Sequence, residues 1–155
     1  MSGVDFVFNR ALGEVKYLAS LPATNDALVV VLLQATGLQA DDTLRDYDDL
    51  AALLAASNDE ATFGGYSRLV RTTGIVPTVD DTNNRLDIDI TTDFSWPAAA
   101  AGNTIAKLLI CYDQDTTTGT DSSILPLTAH SYDEITSGSE IIATVATSGF
   151  YRAQG

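Results

Sequence analysis

The chain carries one histidine, His130, and one cysteine, Cys111. A catalytic triad needs an imidazole within hydrogen-bond reach of an activated nucleophile, and no serine here stands in a Gly-x-Ser-x-Gly turn. The single histidine excludes a His-based triad and a two-histidine metal site within one chain, and His130 reads as a solvated or hydrogen-bonded residue at a strand end. Cys111 sits between Ile110 and Tyr112 in an apolar run. It reads as a small core residue, since a reactive thiolate would need access and a neighbouring base. One cysteine also rules out an intrachain disulfide.

Carboxylates are the more numerous candidates. In Arg85-Leu-Asp-Ile-Asp-Ile, Asp87 and Asp89 fall on one face of a strand, roughly 6.5–7 Å apart, a spacing that invites comparison with glycoside-cleaving pairs. The same alternation arises on any strand with one wet face, and no aromatic-rich cleft sequence accompanies it. In the loop from Asp113 through Asp115 and Gly119 to Asp121, acids are spaced as in a calcium loop. The glycine comes at the seventh position instead of the sixth, and Ile124 replaces the bidentate glutamate. A flexible polar hairpin loop is the reading, with a bound cation as the alternative; no metal or cofactor is expected. The acids from Asp41 to Asp49 face either a basic partner or water, and Gly64-Gly65 lacks the lysine and following helix of a phosphate loop. Five aromatics complete the candidates: Phe6, Phe8, Trp96, Phe150 and Tyr151. They read as exposed, serving either as sandwich edges or as interface anchors on a neighbouring subunit.

The elements that must position these residues follow from pattern. The 155 residues are 45% hydrophobic, which suits one globular domain spanning 1–155, with residues 1–10 as an N-terminal arm. The run Ala27-Leu-Val-Val-Val-Leu-Leu is short, β-branched and apolar on both faces, so it predicts a buried strand. Leu44, Tyr47, Leu50, Leu53 and Leu54 recur at three-to-four spacing and predict a short helix near residues 42–56. Its acids gather in the first turns and Ser57-Asn58 closes it. Residues 14–21 fit a short helix or a strand equally. Residues 75–92 predict an antiparallel hairpin, and further strands are expected at 66–72, 104–112, 124–128, 140–145 and 150–152. The class is mainly β: an antiparallel β-sandwich, jelly-roll-like or Ig-like, with one short inserted helix.

Twenty-one acidic against eight basic residues give a formal charge of −13, which disfavours direct binding to nucleic acid or to anionic lipid. The first ten residues lack the basic and apolar segments of a signal peptide. The longest apolar run, 27–33, falls short of the roughly 20 residues of a membrane helix. The expectation is a chain made and held in the cytoplasm until something else exports it.

The order of segments carries a resemblance. Ala27-Leu-Val-Val-Val-Leu-Leu-Gln is followed by the Leu44 to Leu54 helix and Glu60-Ala-Thr-Phe-Gly-Gly-Tyr-Ser-Arg. Then come Asp80-Asp-Thr-Asn-Asn-Arg-Leu-Asp-Ile-Asp-Ile, Phe94-Ser-Trp, Gly102-Asn-Thr-Ile-Ala-Lys-Leu-Leu-Ile-Cys-Tyr-Asp and Ile124-Leu-Pro-Leu-Thr-Ala-His. This order resembles a family of small virion structural proteins of tailed phages, seen especially in phages of actinobacteria and described as head decoration or minor tail proteins. The resemblance implies a jelly-roll-like sandwich on the outer surface of the virion, with the major capsid protein as partner and a homo-oligomer such as a trimer as its state. Before assembly such a protein resides in the host cytoplasm. A minor tail or fibre-associated protein is the alternative, as is a carbohydrate-binding module for host attachment that uses exposed rings such as Trp96. The family has no catalytic signature to carry over.

Overall fold

The computed structural model describes Met1 and residues 3–155. In chain order its strands are β1 (Phe6–Val7), β2 (Ala27–Gln34), β3 (Leu69–Arg71), β4 (Ile75–Asp80), β5 (Arg85–Ile90), β6 (Phe94–Trp96), β7 (Thr104–Asp113), β8 (Ile124–Ile135), β9 (Ile141–Ala143) and β10 (Tyr151–Gln154). The α-helices are short: α1 (Val15–Ala19), α2 (Asp41–Leu44) and α3 (Leu50–Ala55). The protein is mainly β, its strand pairs are antiparallel, and its class is the expected sandwich with a short helical insertion.

The spine is a five-stranded sheet in the order β1-β8-β7-β2-β3. Every β2 residue except Gln34 is buried. A strand paired on both edges and covered on both faces has no wet side, which is why this run shows no alternation. β5 does alternate: Ile88 and Ile90 are buried and Leu86 half-buried on one face, with Asp87 and Asp89 on the other. It is the middle strand of a second sheet, ordered β10-β5-β4. β6 and β9 form a third pair. One hydrophobic cluster draws on all three sheets, taking in Leu28, Leu32, Leu108, Leu127, Ile88, Ile90, Phe94, Trp96 and Phe150.

The expected helix near 42–56 occupies that stretch in two pieces. Asp49 is extended (φ −146°, ψ 162°), and its Oδ1 accepts the Ala52 N–H at 2.8 Å, so a new helix begins where the acid-rich turn would have continued the first. Leu44, Leu50 and Leu53 are fully buried, as the spacing predicts. Asn58 closes the unit from within. Its side chain donates to the Leu53 carbonyl and to Gln39 Oε1, and accepts the Gln39 N–H. The stretch 14–21, open between helix and strand, contains the helix α1, with Val15 and Leu18 turned inward and Tyr17 outward.

The exposure expected of the five aromatics is corrected for Phe6, Phe8, Trp96 and Phe150. Phe8 and Phe150 are fully buried, Trp96 is 1% exposed and Phe6 6%, while Tyr151 is half-buried against the core. The N-terminal segment is stitched to the sheet edge: Phe6 pairs with Ala129, and the Phe8 N–H donates to the Leu127 carbonyl. Their rings meet edge to face at 5.1 Å. Trp96 stacks on Tyr66, and its Nε1 donates to the Ser67 carbonyl at 2.9 Å. Gly149, at φ +76°, brings the chain so close to Ile88 that a Cβ would collide with its carbonyl, and the Phe150 N–H then donates to that same oxygen. Large rings near chain ends and turns are core here because the segments that carry them are hydrogen-bonded into sheets.

A candidate functional surface

His130, Cys111 and Asp87, three of the residues whose types suggest chemistry, are buried or bonded within the fold. His130 is fully buried; Nε2 lies 3.0 Å from Thr128 Oγ1 and Nδ1 lies 3.3 Å from the Gly3 carbonyl. It is a mid-strand core residue of β8 rather than one at a solvated strand end. Cys111 is fully buried in β7, and burial pushes its thiol far above the ordinary value, so no thiolate forms at neutral pH. Asp87 is gripped by Arg152, Nε to Oδ1 at 2.6 Å, with Arg85 Nε 3.3 Å away. The Arg152 hydrogen bond holds its carboxyl below the usual aspartate range. Asp87 and Asp89 do share a face, but Asp87 is one arm of an ion-pair ladder across β10 and β5.

In the 113–121 loop the carboxylates turn onto their own backbone. Asp113 Oδ1 accepts the Asp115 N–H, and Asp115 Oδ1 accepts both the N–H and the hydroxyl of Thr117. Asp121 points away to Arg68. Among the described residues no group of three or more His, Cys, Asp or Glu side chains is placed to hold a metal ion. Of the helix-start acids, Asp41 reaches inward to the buried Lys107 at 2.9 Å, and Asp5 meets the same ammonium at 2.8 Å. Burial alone would lower the Lys107 pKa; the hydrogen bonds it donates to the two carboxylates and their attraction outweigh it and hold it above the ordinary lysine value. Gly65, at φ +92°, lets the backbone pass against the Ala98 carbonyl, so the Gly64-Gly65 step serves packing.

Two arrangements escaped sequence reasoning. Arg68 binds Glu60 and Asp121 together, Nη2 to Glu60 Oε2 at 2.6 Å, with Tyr66 Oη donating to Glu60 Oε1 at 2.7 Å. This hub ties the 56–68 segment to the start of β8; its partners stand 8 and 53 residues away, and no local pattern announces them. The other is a pair of surface depressions beside the 20–26 loop, of about 520 and 400 Å³. The exposed Tyr17 lines the first; the periodicity of α1, once recognised, would have pointed that ring outward.

Large apolar side chains also face solvent. Leu12, Val70, Val76, Val79, Ile135 and Ile142 are each more than two-fifths exposed, with Val79 at 63% and Ile135 at 72%. Val76 and Val79 lie on β4, the open edge of its sheet. Gly155 N donates to Asn84 O and Thr91 N to Gly74 O. Counting by twos from these bonds, Val76 and Thr78 turn their backbone groups to β5, and Ile75, Pro77 and Val79 turn theirs outward. Proline has no N–H to offer at the centre of that edge.

No helix among the described residues is long and apolar enough to cross a membrane. No family model matches the chain, and no curated protein or solved structure matches it either.

Proposed function

We propose that the chain is a structural component of a tailed-phage particle, a decoration protein that binds the outer surface of the major capsid lattice as a homo-oligomer, such as a trimer, and stabilises the head. One observation carries the reading beyond the resemblance in segment order. His130, Cys111 and Asp87 are buried or bonded within the fold, while single large apolar side chains stand exposed on strands of an otherwise strongly acidic surface. Such a surface offers contacts rather than chemistry. Individually these contacts are small. Repeated by symmetry over a lattice, they add up through effective concentration to a strength that no single contact has.

The acidic charge keeps free copies apart before assembly, and Pro77 stops β4 from recruiting a neighbour's strand. Docking therefore runs through side chains on preformed surfaces. The test adds the purified, labelled protein to heads of a phage whose gene for it has been deleted. Saturable binding to heads, with a plateau set by the capsid symmetry and a raised temperature of DNA release, is the expected result. Binding confined to tails would make it a tail protein instead, and no binding to particles would overturn the proposal.

A further inference from the structure

We propose that the double depression beside the 20–26 loop is a binding site for a neutral saccharide, with the Tyr17 ring as its stacking platform and Asp26 and Gln114 as partners for hydroxyl groups. The two halves share Ala23. Tyr17, Pro22, Tyr112 and Gln114 line the first, and Asp26, Thr72 and Thr116 line the second. The walls are fixed to one another: the Asn25 carbonyl accepts both the N–H and the hydroxyl of Thr116, at 3.0 and 2.9 Å. A site whose walls are already joined loses little freedom when a ligand enters.

Three features narrow the ligand. Tyr17 is 63% exposed on a helix whose Val15 and Leu18 are buried, so the ring stands out without being needed by the core. The apolar faces of pyranose rings stack on such surfaces. Asp26 is 6% exposed; its Oδ2 accepts Tyr112 Oη at 2.8 Å and the Ala23 N–H at 2.7 Å, while Oδ1 has no hydrogen-bond partner among the described residues. A carboxylate oxygen held at the edge of a depression is an acceptor for a ligand hydroxyl, and a purely apolar ligand would leave it unpaired. Finally, no Lys, Arg or His lines either half, and both acids there, Asp26 and Asp115, repel anions, as does the whole molecule. Uronates and phosphorylated glycans are thereby disfavoured, and neutral hydroxyl-rich rings fit.

The inference is independent of where the chain sits in a particle, so its failure and that of the decoration reading are separate results. The experiment follows backbone amide resonances of the whole chain on titration with maltotriose, cellotriose, mannotriose and triacetylchitotriose, and with trigalacturonic acid as the anionic control. Expected are saturable shifts confined to residues 17–26, 72 and 112–118 with at least one neutral trisaccharide, none with the uronate, and affinity at least tenfold weaker in Tyr17→Ala. Gln114→Ala, at a fully surface position, provides a second weakening variant should the first disturb α1. Absence of shifts with all four neutral sugars overturns the proposal, as does binding unchanged in both variants or equal binding of the uronate.

Discussion

Arg68 shows how single residues hold this molecule together across long sequence distances. Its guanidinium faces Glu60 on one side and Asp121 on the other, and its side chain is 25% exposed. Removing it leaves two partly desolvated carboxylates without their cation, so Arg68→Met should cost about 2 kcal/mol, less than a fully buried network would because water screens one side. Urea denaturation measures it; a loss under about 0.5 kcal/mol would mean the hub is screened to irrelevance. The same bonds set the acid limit. Arg68 holds Asp121, and Arg152 holds Asp87, below the usual carboxylate value. A carboxyl whose folded-state pKa is depressed contributes stability that is fully present above its unfolded value, about 3.9, and is lost as pH falls through the folded value. The urea midpoint should therefore drop below about pH 4, and the drop should be shallower in Arg68→Met than in the parent. An equally steep drop in both would remove this pair from the account.

At the scale of elements, two local devices can be tested by substitution. Asp49 caps α3 through the Ala52 N–H, so Asp49→Ala should destabilise by about 1 kcal/mol while Asp48→Ala changes little. Thermal melts of both variants check the contrast. Pro77 interrupts the outward row of β4, where Val76 and Val79 stay exposed. Pro77→Val restores a donor to that edge and should raise self-association at high salt, where repulsion between acidic copies is screened; sedimentation velocity reads it, and an unchanged monomer peak would mean that the edge is protected by charge alone. These elements also mark how much was legible beforehand. The β2 run, the β5 alternation and the Leu44, Leu50 and Leu53 face were readable because burial imposes its period on sequence. The Asp49 break was hidden because acids favour a first helical turn and an N-cap alike. Phe6, Phe8, Trp96 and Phe150 misled because proximity to chain ends and turns suggests exposure, whereas sheet pairing with partners over a hundred residues away buries the first two. The candidate saccharide site was illegible, since the 20–26 and 113–118 loops meet only through the folded β2 and β7 strands.

As a whole, the molecule combines one core shared by three sheets with a surface carrying a net charge of −13 and scattered large apolar side chains. The first property encloses the single histidine and the single cysteine. Under the proposed function, the second would hold free copies apart by charge and leave short apolar contacts to gain strength by repetition. Both suit a protein added in many copies to a symmetric shell, and that is the central claim. The direct test is quantitative mass spectrometry of purified virions, with labelled-antibody electron microscopy to locate the chain. The account predicts a copy number in fixed proportion to the major capsid protein and label over the head. A handful of copies at the tail, or none in the particle, would contradict it.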